Sequence, residues 1–285
     1  MASDQAVRIT SLYVHPIKSC AGIALDEALL IETGFEFDRA WMLVDPDRRF
    51  VSQRELPRMA LVRPILKTSD MVLRAPGMLA LHVALDRVEQ PVRVTIWNDE
   101  VAAYDMGNLC AQWFSDFLGR PLRLVRFDPE HRRLADRRWT GALEAENALA
   151  DGFPLLVTSV AGLEALNRRL TSAGEPAVTM TRFRPNLVLD GLDPNGEDAL
   201  GEIDFETPAG PVRLRLVKPC IRCVITDVDP ETAATGHAVG ETLATYRADP
   251  RMAGRITFGM NAVIVEGIER SLRVGMTGEA RFGFD

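Results

Sequence analysis

Apolar runs in the first hundred residues of this chain are short, and each is closed by turn residues, which leaves strands rather than helices as the material of that region. Residues 7–14 form such a run, and it stops at His15-Pro16 because proline biases the residue before it away from helix. A loop follows at Ile17-Lys18-Ser19-Cys20. Further strands are predicted at 24–31, 40–44, 71–73 and 92–97, with Asp45-Pro46-Asp47 among the turns between them. Helical spacing first shows at 108–118, where Leu109, Trp113 and Phe117 recur and Gly119 supplies a C-terminal cap.

Residues 128–149 are rich in charge and lack any period, so they read as a long connecting loop between two halves, of the kind that often carries function. Beyond it, 155–158 reads as a buried strand running into Ser159, a good N-cap for a helix over 160–170 with Leu163, Leu166 and Leu170 as its apolar stripe. A strand entering a helix N-terminus is a natural anion site. Strands are predicted at 186–189, 212–217 and 223–228, a short helix near 241–246, and final strands at 261–266 and 278–283. The pattern is a β-rich α+β chain without a repeat of fixed period.

A length of 285 residues with 47% hydrophobic composition suffices for one large domain or two ordinary ones around a real core. The formal net charge of -7 argues against a general nucleic-acid binder, which needs a basic face, but it leaves room for a local basic pocket. The first twenty residues hold an early acid and no apolar run long enough for a signal peptide or a membrane span, so a cytoplasmic protein without a membrane partner is expected. Four cysteines, Cys20, Cys110, Cys220 and Cys223, are too few and too scattered for a disulfide framework and read as reduced thiols.

The string most informative about chemistry is Lys218-Pro219-Cys220-Ile221-Arg222-Cys223-Val224-Ile225-Thr226-Asp227. A two-residue gap between cysteines suits zinc, a redox disulfide or a single reactive thiolate. Structural zinc wants four ligands, and neither the other cysteines nor His15, His82, His131 and His237 offer a second close pair. A thioredoxin-like pair wants a helix start, whereas both flanks of this one look like strands. Lys218 and Arg222 favour thiolate, and burial favours an inert thiol. Spacing and charge leave those two readings level.

A second signal is a set of cationic and small polar residues in turns: Lys18-Ser19, Asp38-Arg39, Thr158-Ser159, Arg182, Arg184, Asn186 and Arg222. Arginine forks and helix N-termini are how proteins hold phosphate, although a single surface arginine is ordinary, and only convergence would make these residues a pocket. No nucleophile elbow, Walker-type loop or His-Glu-x-x-His string is present. An aromatic content of 7% fits core use and gives no surface for stacking nucleic-acid bases.

The ordered strings HPIKSC, FDRAWMLVD, RFRPNLVLDG, KPCIRCVITDVDPETA and FGMN closely resemble a known family, over about residues 7–284. That family has an N-terminal MOSC-type β-barrel domain followed by a MOSC domain and includes the amidoxime-reducing components and their bacterial relatives. The resemblance implies an N-terminal barrel domain over 6–125 packed against a MOSC barrel domain with peripheral helices over 126–285. It implies a molybdenum cofactor, with Cys223 as the metal ligand and catalytic residue and Arg222 beside it. By the same matching, Lys18, Ser19, Arg39, Thr158, Ser159, Arg184 and Asn186 would hold the pterin and its phosphate, so the cofactor would lie between the domains. Asn261 stands where the mitochondrial proteins have an aromatic residue and is the expected catalytic neighbour that shapes the substrate pocket.

The implied reaction is two-electron reduction of a small N-hydroxylated compound, an amidoxime or a hydroxylamine. The alternative is a cofactor carrier or sulfur-handling protein without reductase activity. Because no cysteine follows Cys223, no iron–sulfur domain is expected. Electrons would come from a separate donor, a ferredoxin-like or flavodoxin-like protein or a flavin reductase.

Overall fold

In the computed structural model, which describes residues 5–283, seven strands close into a barrel. Phe284 and Asp285, the end of the expected second domain, lie outside the described residues. Around the barrel the order is Leu155–Ser159, Leu187–Asp190, Gln5–Val14, Thr277–Phe282, Leu200–Thr207, Gly210–Ile221 and Arg255–Glu266. The last of these pairs back onto Leu155–Ser159 and completes the circle, so among the described residues the barrel itself has no open edge. Residues near the N-terminus therefore build the same barrel as those near the C-terminus, since Gln5–Val14 is clasped between Leu187–Asp190 and Thr277–Phe282.

Period-two alternation fills the interior with Val7, Ile9, Leu12, Val157, Leu189, Leu214 and Ala262. Leu200–Thr207, a strand not anticipated from the sequence, shows why acidic content hid it. Ile203 and Phe205 are fully buried, while Glu202 and Asp204 face out, and acids are poor strand formers taken alone. Glu202 stands directly opposite Arg215 and Arg281 on the flanking strands, and Asp204 opposite Arg213, so ion pairs across the sheet offset that propensity.

Ahead of the barrel, Trp41–Val44, Arg123–Phe127, Asp99–Asp105 and Gln90–Ile96 form one sheet, and Arg63–Leu66, Asp70–Arg74 and Leu81–Ala84 form another. The helix Gly107–Leu118 joins them by burying Trp113, Phe114 and Phe117 in a core shared with Leu43, Met71, Leu81 and Leu124. Gly119 ends the helix in the left-handed conformation, as its position predicts. Of the strands expected in this half, 24–31 is broken at Asp26 into Ile23–Leu25 and Glu27–Ile31.

The connecting stretch 128–149 is ordered by one buried cation. The Arg133 guanidinium donates to Asn147 Oδ1 at 2.6 Å, Ala148 O at 3.0 Å and Ala150 O at 2.7 Å, and pairs with Asp99. That anchoring carries the chain from Leu149 to Phe153 to the mouth of the cleft described below.

The expected strand over 223–228 does not form. Val224–Asp227 is a turn of 3₁₀ helix, because Thr226 Oγ1 bonds back to the Cys223 carbonyl oxygen at 3.0 Å and Thr226 N–H reaches the same oxygen. Among the described residues no helix is long and apolar enough to cross a membrane.

Candidate cofactor cleft

Two register shifts open the wall of the cleft. Along Gly210–Ile221 the pairing with Arg255–Glu266 slips between Leu216 and Lys218 and again between Pro219 and Ile221. Bulges of this kind re-aim side chains, and here Cys220 to Cys223 and Asn261 all line one cleft. Gly259 sits opposite at φ 77, where a Cβ would strike the Val157 carbonyl oxygen, so the strand can pass this point only as glycine.

Of the ten site residues expected from the sequence, eight meet at this cleft: Lys18, Ser19, Arg39, Arg184, Asn186, Arg222, Cys223 and Asn261. Three of them, Ser19 (φ 67), Arg39 (φ 48) and Arg184 (φ 56), hold left-handed backbones, which side chains other than glycine rarely adopt. The surrounding bonds account for it. Arg39 N–H donates to the His15 carbonyl oxygen at 2.9 Å, and Asp38 Oδ1 accepts from His15 N–H at 2.7 Å. The Arg39 guanidinium then spans Asp38 Oδ2 at 2.5 Å, Asn186 Oδ1 at 3.1 Å and the Arg184 carbonyl oxygen at 2.9 Å.

Asn186, 1% exposed, spends its side chain on this scaffold, accepting also from Leu156 N–H at 3.0 Å and donating to the Tyr13 carbonyl oxygen at 3.2 Å. His15 Nε2 lies 3.2 Å from the Pro185 carbonyl oxygen, and burial together with Arg184 and Arg39 keeps its imidazole neutral, well below the usual histidine range.

Five cations, Lys18, Arg39, Arg54, Arg184 and Arg222, line the cleft with a single carboxylate, Asp151. In a protein of net charge -7 this concentration suits an anionic ligand. Lys18 Nζ donates to the Leu149 carbonyl oxygen at 2.9 Å and pairs with Asp151 at 2.5 Å. Burial pulls the ammonium below its ordinary value against the opposing pull of Asp151. Asp151 feels a burial penalty too, but Lys18 and Arg54 outweigh it and hold the carboxyl far below the usual range. Arg184 bonds the Cys20 carbonyl oxygen at 2.6 Å, and burial with the like charge of Arg39 lowers it to about 10. Its Nη2 and the Nε of Arg222 are buried without a partner among the described residues, an arrangement native structures avoid unless a ligand satisfies it.

The cysteines divide by place. Burial pushes Cys20 up to about 12 and Cys110 up to about 11, so both are inert core thiols. Cys220 is half-buried and accepts from Arg222 Nη1 at 3.1 Å, whereas Cys223 is exposed and accepts from Arg54 Nη2 at 3.3 Å. Among the described residues no group of three His, Cys, Asp or Glu could hold a metal ion alone, so a metal here would bring its other donors with it.

Thr158 and Ser159 are not brought to the cleft. Thr158 is fully buried with its hydroxyl on Met180 Sδ at 3.3 Å. Ser159 accepts from Gly162 N–H at 3.1 Å and donates to Glu197 Oε2 at 2.5 Å, so the expected anion site at this helix start is filled by the chain's own carboxyl. Arg182 is likewise committed elsewhere, to Asp229 at 2.8 Å. The residues missed in the sequence are Arg54 and Asp151, ordinary surface types with no local signal, and Trp97, whose one signal is a tryptophan in a two-residue turn. Only the fold brings them to Cys223 and Lys18.

Residues 6–121 match the family described as the MOSC N-terminal beta barrel domain, and residues 144–278 match the MOSC domain. The chain is 32% identical over 258 residues to mitochondrial amidoxime-reducing component 1 of Mus musculus, covering 87% of this chain and 74% of that protein. It is 31% identical to mitochondrial amidoxime reducing component 2 of Homo sapiens over 87% of this chain and 75% of that one. Molybdenum cofactor sulfurase of Homo sapiens is 27% identical over 88% of this chain but only 29% of its own length.

Proposed function

This chain belongs to the MOSC family, and from that premise we propose that it is a molybdenum-cofactor-dependent reductase of N-hydroxylated compounds such as amidoximes and hydroxylamines. The observation that carries the reading is that five cations drawn from both halves of the chain line one cleft together with an exposed thiol. The residues fit the group. A soft sulfur at Cys223 suits molybdenum, and Lys18, Arg184 and Arg222, two of them with buried unpartnered nitrogens, suit a phosphate-bearing pterin. Arg39 and Asn186 would act largely as the frame that holds Arg184 in place, and Ser19 would contribute from its left-handed turn.

When bound, the group supplies a two-electron couple, and the net change takes N–OH, two electrons and two protons to N–H and water. Cys223 would tether the metal, and the cations would orient the pterin against the barrel wall. Asn261, whose Nδ2 donates to the Lys218 carbonyl oxygen at 3.1 Å, would shape the substrate end. Asp151, held ionised, is a poor acid at neutral pH, so the protons would come from solvent at the open mouth. Electrons would come from a separate ferredoxin-like or flavodoxin-like protein or a flavin reductase.

The likeness to molybdenum cofactor sulfurase supports a second reading, a cofactor carrier or sulfur-handling protein. The two separate in one experiment. Purified protein is assayed for molybdenum and pterin, then for reduction of a hydroxylamine by reduced viologen. Stoichiometric cofactor with turnover supports the reductase, and stoichiometric cofactor without turnover supports the carrier. Protein that takes up neither molybdenum nor pterin contradicts both.

A further inference from the structure

We propose that Arg54 is a positioning residue for Cys223: delivered from the N-terminal half and braced on Trp97, it donates to the Cys223 sulfur and holds that sulfur toward the cleft. Arg54 Nη2 lies 3.3 Å from Cys223 Sγ across 169 residues of sequence. The nearer candidate, Arg222, is turned away, with Nη1 on Cys220 Sγ at 3.1 Å and Nη2 on the Phe183 carbonyl oxygen at 2.9 Å. The guanidinium at Cys223 is therefore the one from the other half of the molecule.

Its brace is unusual for its position. Trp97 lies in the two-residue turn between Gln90–Ile96 and Asp99–Asp105, where Ile96 pairs with Asp99, and it holds φ 56. Turn positions of that kind favour glycine, asparagine or aspartate. Trp97 is still 43% exposed, so core burial does not explain its presence. Three contacts do. The Arg54 guanidinium stacks 4.7 Å from the indole centroid, Phe50 packs at 4.7 Å between ring centroids, and the indole N–H donates to Asp151 Oδ1 at 3.2 Å. That carboxylate oxygen is the one that takes Lys18 Nζ. A strained residue kept where it fixes one cationic side chain over a thiol is strain held for a site rather than for a core.

A donor on the sulfur withdraws electron density from it and leaves other lone pairs free for a soft metal. This rests on the proposed function only where metal is concerned, and the contact itself is testable without metal.

In the full chain produced without molybdenum, Cys223 is alkylated with anionic iodoacetate and with neutral iodoacetamide, and the two rates are read at that residue by peptide mass spectrometry. The ratio cancels the thiol's own reactivity and reports the local charge. Arg54→Gln is expected to lower the iodoacetate-to-iodoacetamide ratio by about fivefold, the factor that unit charges about 4 Å apart give in water. Arg54→Lys should retain most of the ratio. Trp97→Gly, which relieves the turn, should lower it without lowering the melting temperature, and it keeps the test open if Arg54→Gln folds poorly.

In the molybdenum-loaded protein, Arg54→Gln and Trp97→Gly should both shift the metal's midpoint potential to more negative values, with Arg54→Lys near the parent. An unchanged ratio in a folded Arg54→Gln or Trp97→Gly variant overturns the proposal. A lowered ratio in a protein that takes up no molybdenum leaves the Arg54 contact standing and removes the functional reading instead.

Discussion

Arg184 combines a left-handed backbone with a buried guanidinium that has one satisfied and one unsatisfied nitrogen, so backbone and side chain make separable demands. Losing its charge-assisted bonds to a bound phosphate costs about 1.5–3 kcal/mol, roughly ten- to a hundredfold in affinity. Arg184→Ala and Arg184→Gly should therefore lose cofactor alike. They should differ in stability, because alanine retains the left-handed cost of about 1 kcal/mol that glycine escapes. Molybdenum analysis and thermal melts of the two variants check both points. Full molybdenum content in either would make this arginine structural, and equal melting temperatures would remove the strain argument.

The helix Val160–Ser172 begins at a serine whose hydroxyl is already committed within the fold, to Gly162 N–H and to Glu197. Ser159→Ala should cost about 1 kcal/mol of stability through the lost cap, with molybdenum content unchanged. Loss of metal would return Ser159 to the cleft. Its partner Glu197 is fully buried, and burial raises that carboxyl above its ordinary value. The folded protein thus holds the proton more tightly than the unfolded chain, so the stability it lends is complete below the unfolded pKa of about 4.3 and is lost as pH rises through the folded value. Glu197→Gln keeps an oxygen for the Ser159 hydroxyl and should melt with the parent near pH 4 but above it near pH 8. A difference that does not change with pH would contradict this.

What could be read from the chain at this scale follows the same physics. Strands with clean alternation, such as Gln5–Val14 and Gly210–Ile221, and the capped helix Gly107–Leu118 announce themselves locally. The 223–228 stretch misleads because Val224, Ile225 and Val228 are β-branched, while its turn is set by the Thr226 hydroxyl and by the ladder ending at Ile221. Leu200–Thr207 hides because its outward acids are matched by arginines on the two flanking strands, Arg213 and Arg215 on one and Arg281 on the other. Eight of the expected site residues lie in strings specific enough to be matched to a family, whereas Arg54, Trp97 and Asp151 become site residues only through contacts that span 43 to 169 positions.

At the scale of the whole molecule the cleft is a joint product, with Lys18, Arg39 and Arg54 from the first half meeting Arg184, Arg222 and Cys223 from the second. The sequence carries no nicotinamide or flavin fingerprint and no cysteine set for an iron–sulfur cluster. Purified protein should therefore not reduce hydroxylamines with NADPH alone. Turnover should appear with a flavin reductase and its ferredoxin-like or flavodoxin-like partner, and should slow as salt rises, because transient redox contacts are small and charge-guided. NADPH-driven turnover by the chain alone would contradict that division of labour.

The claim on which the rest depends is that the exposed thiol, and not its neighbour, tethers the metal. It is tested by measuring molybdenum per chain in the parent, in Cys223→Ala and in Cys220→Ala, all expressed under the same molybdate supply. Near-stoichiometric metal in the parent and in Cys220→Ala, with little in Cys223→Ala, is the expected result. Equal loss from both cysteine variants would contradict it and point to a dithiol site instead.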